Sequence, residues 1–503
     1  MKKIFLFMTI ALAACSCDKW LEATSSTQFK AEEIFSSREG FFDALSGVYI
    51  NMGKENNYAS NTTWKHIDIL CYPYNSFTSL TLSQVQNHEF NTSNVKKLSS
   101  QIWLAYYNTI ANINMALENI DGKESLFMNK SEYNWVKGEL LALRAFNHLD
   151  LIRFFGSPGM TGSNGAKLAV PYVTSYSPIV TPQQSSEKTM ELLLKDALEA
   201  AELLADDPVT GVVSENFSTT LNATGYWSNR KSHMNLYAVY GMLARIYQWD
   251  DDIETAAYYA KLAADGAMKS KAASWIDPSH MISQGFGHDL AHADLTFSCE
   301  HLFTLEINEL YSIVSKFLIP SATGAATEAM YFSREIVEYR LFPILETSGL
   351  EDVRGTAFYL EYQNGSYVCR KLFSLSNSKY RNLMPMIRLS EMYYIMAENE
   401  ARNGSKAKAM ELINEVRSHR GITEDLPLDS DALAELNLEY AREFLNEGQF
   451  LYWTKHDKLA HIRDVYTAFV LDRLYTLPNP ETIGDLTLPY PDDEINYGRK
   501  QEL

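Results

Sequence analysis

The sequence predicts a mostly α-helical fold, with helix-turn-helix pairs packed against an irregular, loop-rich half that carries a few short strands. Three observations predict it. Apolar residues recur at i, i+3 and i+4 through most of the chain. Helical stretches come in pairs that meet across short turns. Between the pairs lie long stretches rich in Asn, Ser, Thr and Gly, residues that punctuate helices rather than extend them.

The elements follow in order. QIWLAYYNTIANINMALENI, from Gln101 to Ile120, reads as a helix that ends near Asp121-Gly122. Ser131 is placed to cap a helix through WVKGELLALRAFNHLDLIRFF, which stops at Gly156-Ser157-Pro158. Val136, Leu140, Leu143, Phe146 and Leu149 give that helix a broad apolar stripe toward a core. SSEKTMELLLKDALEAAELL, from Ser185, is a third helix. LYAVYGMLARIYQ and IETAAYYAKLAADGAM flank the turn Trp249-Asp250-Asp251-Asp252. RLSEMYYIMAENEARNGSKAKAMELINEVRSHRG is a helix, a turn at Asn403-Gly404 and a second helix. Ala397, Gly404 and Ala409 fall at the spacing of the small residues in a tetratricopeptide repeat, where they let antiparallel helices approach closely. The pair around residues 237–268 has the same shape with a longer turn. An irregular helical bundle is the plainer alternative for these residues. Residues 56–100, 206–232 and 270–330 are less regular, and HLFTLEI and SYVCRKLFSL read as short strands. Long loops on a helical scaffold are where binding sites tend to sit.

The N-terminus sets the compartment. In MKKIFLFMTIALAACSC, Lys2 and Lys3 precede an apolar run from Ile4 to Ala14 that is too short to span a bilayer, and small residues then precede a cysteine. This is the pattern of a bacterial lipoprotein signal that ends at a lipid-bearing cysteine, over residues 1–16 if that cysteine is Cys17; an ordinary buried cysteine is the alternative. Leu12-Ala13-Ala14-Cys15 fits the lipobox better, while Cys17 gives a signal of more usual length. Acyl chains hold a protein by burying methylenes at ~0.8 kcal/mol each. The 503 residues are 46% hydrophobic and 21% charged, which supports a large core and excludes a disordered chain. A net charge of −19 repels nucleic acid and anionic lipid, and losing the signal's two lysines deepens it. Cys71, Cys299 and Cys369 are scattered, with neither a disulfide framework nor metal spacing, and read as buried free thiols. Aromatics make up 12%, which suits both a core and the stacking of sugar C–H faces.

CDKWLE directly after the signal resembles the start of the SusD/RagB family of Bacteroidetes outer-membrane lipoproteins, and this favours Cys17 as the anchor. ELLALRAFNHLDLIRFFG, GMLARIYQW, EDVRGTAF, IRLSEMYYIMAENEARNG, LNLEYAREFLNEGQFLYWTKHDKL and LPYPDDEIN resemble the family's successive motifs, in order, over residues 17–497. The chain departs from the pattern at Tyr440, where the family usually has Arg, and at Tyr452-Trp453, which replace a more basic stretch. The resemblance implies a SusD-like fold, with an N-terminal region over 17–230 and a C-terminal region over 231–503 forming one intertwined unit. It implies a cell-surface lipoprotein of the outer membrane, not an enzyme, with no cofactor and no nucleic-acid partner. Such proteins cap a SusC-like TonB-dependent transporter and deliver oligosaccharides to it, or peptides in the RagB branch. A transporter-lid scaffold with little ligand affinity of its own is a further alternative.

Charged motif residues among apolar neighbours read as ion pairs between helices or hydrogen bonds to loop carbonyls: Arg388, Glu391 and Glu398 on one helix, and Arg144, Arg245, Arg442, Glu443 and Glu447 elsewhere. A catalytic carboxylate pair needs two acids across the scissile bond with one pKa raised, and nothing marks such a pair among 63 acids. His280, His288 and His292 lie close together, but HDLAH lacks the Glu of a zinc-protease HExxH and reads as loop histidines. Asp250–Asp252 offer oxygens for calcium, but a solvated turn between helices accounts for them better. The candidate ligand contacts are aromatics of the irregular regions: Trp64, Tyr72, Tyr74, Trp227, Trp275 and Phe286. The expectation is that at least one of them lines a ligand cleft; a packed core ring is the alternative for each.

Overall fold

The computed structural model describes residues 31–211, 221–278, 294–318, 329–343, 346–362, 365–372, 380–457 and 486–498. Its helical layer is a stack: α1 (Arg38–Met52), α2 (Ser93–Ile120), α3 (Lys130–Phe155), α4 (Ser186–Leu203), α5 (Leu236–Trp249), α6 (Ile253–Lys269), α7 (Leu389–Asn403) and α8 (Lys406–Ser418). Each packs on the next in that order, so the layer runs unbroken from the N-terminal part into the C-terminal part. Helix α9 (Ala432–Glu443) covers α7 and α8, and α10 (Gln449–His456) packs on α9. No helix among the described residues is long and apolar enough to cross a membrane.

Local chemistry sets the boundaries. Ser185 caps α4 by accepting from the Lys188 N–H, and Asp252 caps α6 by accepting from the Thr255 N–H. The cap of α3 is Asn129 rather than Ser131: its side chain accepts from the Glu132 N–H at 2.9 Å, while the Ser131 hydroxyl donates to Asp206 at 2.6 Å. Helix α2 begins at Ser93, eight residues before the expected start, because Val95 and Leu98 continue the apolar stripe of Ile102 into the core. At Gly266 a Cβ would lie 2.4 Å from the Tyr237 ring, so the glycine is what lets α5 and α6 close on each other.

The irregular half carries two small antiparallel sheets. Strand β1 (His301–Glu306) pairs with β5 (Leu383–Arg388), which leads directly into α7. Strands β2 (Tyr331–Ser333) and β3 (Tyr359–Tyr362) flank β4 (Ser366–Cys369). One apolar core underlies both halves. Residues 56–74, expected as loop, fold onto that core as successive turns around a short helix, His66–Ile69. Cys71 and Cys369 are buried and Cys299 is half-buried, all as free thiols. Cys15 and Cys17 lie outside the described residues.

The two departures from the family pattern meet in space. Tyr440 of α9 stacks on Trp453 of α10, with ring centroids 4.4 Å apart and planes 8° from parallel. Tyr452 lies under the Arg153 guanidinium, 3.7 Å from the ring centroid. A ring at 440 thus finds a ring at 453, and the contact needs no charge.

Candidate functional site

The charged motif residues converge on the seam between the two halves. Glu443 of α9 receives Arg354 at 3.0 Å, Arg388 at 2.5 Å and Arg420 at 2.6 Å. Arg354 also bonds Asp352 at 2.7 Å and Glu439 at 2.8 Å; Arg388 reaches Glu447 at 2.8 Å; Arg420 reaches Glu300 at 2.7 Å. Lys371 donates to the Glu443 carbonyl at 2.6 Å and pairs with Glu447. All these groups are buried, and each cation comes from a different segment. Burial raises the Glu439 carboxyl, but Arg354 and Arg442 outweigh it and hold it at about 2. Elsewhere Arg245 makes a bidentate pair with Glu391 at 2.6 Å, and Arg144 does the same with Asp196. Glu398 pairs with His456 at 2.8 Å, and Asp251 stands 3.4 Å from the other imidazole nitrogen. Burial disfavours the imidazolium, yet Glu398 and Asp251 raise the His456 pKa to about 9. The remaining aspartates of that turn are engaged too: Asp250 accepts from Thr161, and Asp252 caps α6.

The nominated aromatics divide sharply. Trp64, Tyr72, Tyr74 and Trp227 are core rings, between 0% and 3% exposed. Trp64 donates its indole N–H to the Ala59 carbonyl at 2.8 Å, Tyr72 its hydroxyl to the Ala441 carbonyl at 2.8 Å, and Trp227 its indole N–H to Glu132 at 3.0 Å. Tyr74 packs on Phe332 at 4.2 Å. The segments that carry them are folded inward, and for these four the packed-core alternative describes their place in the structure. Phe286 lies outside the described residues, as do His280, His288 and His292.

Trp275 is the nominated ring that keeps part of its surface accessible among the described residues. Its segment leaves the end of α6 and is pinned on both sides. The Ser274 N–H donates to the Cys299 carbonyl at 3.0 Å, and the Ile276 N–H donates to the Glu300 carboxylate at 3.3 Å. Arg420 grips that same Glu300, so the charged centre holds the backbone on which Trp275 stands. The indole lies parallel to the His419 imidazole, 4.7 Å between centroids and 12° between planes, and meets the edge of Tyr393 at 4.9 Å. Glu415 is 3.4 Å from His419. Burial, then the charges of Glu415 and Asp265, push the Tyr393 phenol up. A fixed, partly exposed indole, with a phenol and an imidazole against it and Glu415 next to the imidazole, offers accessible aromatic surface and hydrogen-bonding partners for a hydroxylated ligand.

A separate cavity of about 240 Å³ lies beyond the end of α3, with Phe155, Asn164, Lys167, Thr487 and Tyr490 among its lining residues. It is below the ~300–1,000 Å³ of ordinary small-molecule pockets, and none of the nominated aromatics lines it. Tyr393 and His419 were not nominated from the sequence. Their signal was weak: Tyr393 stands on α7 and His419 just past the end of α8, and the periodicity of both helices is satisfied without them.

A family model described as starch-binding, associating with outer membrane, matches residues 19–248, and the SusD family model matches residues 346–453. The chain belongs to the SusD/RagB family. Its fold is shared with solved structures. A SusD superfamily protein from Bacteroides thetaiotaomicron superposes with a TM-score of 0.69 at 18% identity, covering 92% of this chain and 98% of the other. A putative sugar binding protein from Bacteroides vulgatus gives 0.66 at 21% identity, covering 92% and 96%. A SusD superfamily protein from Bacteroides fragilis gives 0.63 at 17% identity, covering 93% and 100%. No curated protein matches the chain.

Proposed function

We propose that this SusD-family protein is a non-enzymatic, cell-surface glycan-binding lipoprotein. It is anchored through lipid on Cys17, or on Cys15, and passes oligosaccharides to a SusC-like TonB-dependent transporter in the outer membrane. The observation that carries the glycan reading is Trp275: a partly exposed indole on a backbone fixed by the charged centre, next to groups that exchange hydrogen bonds with sugar hydroxyls. The family's association with starch binding and the outer membrane supports the same reading. Pre-organisation matters here, because a ring already held in place loses little freedom when a ligand stacks on it. The net charge of −19 favours neutral over anionic chains.

Affinity electrophoresis through gels containing starch, pullulan, xylan, galactomannan, inulin or mixed-linkage β-glucan tests the proposal. Retardation by one of these polysaccharides, lost in Trp275→Ala, is the expected result. Mobility unchanged in every gel, with calorimetric binding of peptides instead, would move the protein to a RagB-like role.

A further inference from the structure

The outward side of the α5–α6 pair carries tyrosines where a solvated helix face ordinarily carries Lys and Glu. Tyr240 and Tyr247 are seven residues apart on α5, hence on one face, and Tyr258 and Tyr259 are adjacent on α6. The rings form one array. Tyr247 and Tyr259 lie parallel, 4° between planes and 5.6 Å between centroids; Tyr240 is 6.1 Å from Tyr259, and Tyr258 meets Tyr259 edge-on at 5.2 Å. Tyr258 is 59% exposed and the other three are partly exposed. Among the described residues, none of the four hydroxyls has a hydrogen-bond partner in the protein. Asp250 and Asp252 stand in the turn that joins α5 to α6, at the Tyr247 end of the array.

We infer that this tyrosine array is a second carbohydrate-contact surface, which takes an extension of the same neutral glycan chain that stacks on Trp275. It rests on the glycan-binding reading above. Its size decides against a protein: four rings so exposed offer on the order of 300 Å², against ~800 Å² per partner in a stable protein interface. Its chemistry fits a sugar, with apolar ring faces and hydroxyls that bond nothing among the described residues. Its position joins it to the first site. Tyr258 stands on α6, which packs on α7, the helix that carries Tyr393, and whose C-terminal end leads into the Trp275 segment. Two contacts on one rigid pair of helices raise the affinity for a long chain far more than for a short one.

The test compares polymer with fragment. The full chain, as wild type, Trp275→Ala, Tyr247→Ala/Tyr258→Ala and Tyr258→Phe, is run against the six polysaccharides named above. It is then titrated calorimetrically with the trisaccharide of whichever one retains it. The double tyrosine variant should lose about tenfold in affinity for the polymer while its trisaccharide affinity stays within twofold. Tyr258→Phe, which keeps the ring, should fall between it and the wild type. Melting curves confirm that the variants are folded. Unchanged polymer retention in the double variant, with Trp275→Ala abolishing it, overturns the array and leaves the glycan reading standing. No retention of the wild type by any of the six overturns both. Retained polymer binding, with loss of a co-purifying outer-membrane barrel, overturns the array as a sugar surface and makes it a protein contact.

Discussion

The charged centre and the Trp275 edge invert the usual distribution of residue types. At the centre, four cations and their carboxylates are sealed from water, where each uncompensated charge would cost several kcal/mol. At the edge, a tryptophan that belongs by composition in the core stays only partly buried. The two are joined at Glu300, which accepts from Arg420 on one side and from the Ile276 N–H on the other. The difference teaches a division of labour. The irregular half has only short strands to bind it, so charge pairs fix its segments to α9 and β5. The edge inherits that rigidity and uses it to hold an aromatic surface still.

The strongest way to break this contrast is at Glu443. Replacing it with Gln leaves Arg354, Arg388 and Arg420 short of a shared carboxylate, and removal of one partner from a buried pair costs ~3–5 kcal/mol. Urea denaturation of Glu443→Gln should show a loss of that size; a change under about 1 kcal/mol would contradict the role of the network. The next effect is pH dependence. The His456 pKa is raised to about 9, above an unfolded value of ~6.5, so its contribution is fully present below ~6.5 and is lost as pH rises through 9. That limb is about 3 kcal/mol and should vanish in His456→Gln, followed by denaturation between pH 6 and 10. On the acid side the Glu398 and Glu439 pKa values are depressed to about 2. Their contribution is present above ~4.3 and falls away as pH drops toward 2.

A smaller effect sharpens the aromatic side of the comparison. Tyr440 and Trp453 are stacked inside the core, so a double-mutant cycle with alanine should give a coupling of ~0.5–1.5 kcal/mol. A coupling near zero would mean that the two departures from the family pattern are independent.

Much of the scaffold was legible because helix signals are local. The stripe of α3, the Ser185 cap and the small residues of the α7–α8 pair act within one or two turns of themselves. The misplaced start of α2 arose because the SNVKKLSSQ stretch is mostly polar, and Val95 and Leu98 are its two apolar residues. The role of the motif charges was also legible, since a charge amid apolar residues needs a partner, although nothing in the sequence said that three arginines share Glu443. The site was far less legible. Trp64 and Trp275 both stand in irregular, polar stretches, and what separates them is long-range: one segment folds under the Phe317 ring, the other is pinned to residues 299–300. The tyrosines of α5 and α6 were hidden by the same periodicity that revealed their helices.

Trp275→Ala should cost the least stability, about 1 kcal/mol or less, because the ring lies outside the sealed core. It is also the most direct test of the central claim that the edge binds while the centre only holds. Calorimetric titration of the wild type and Trp275→Ala with the polysaccharide that retards the wild type should show at least a tenfold loss of affinity, with melting temperatures nearly equal. Equal affinities in the two proteins would contradict the assignment of ligand binding to this edge.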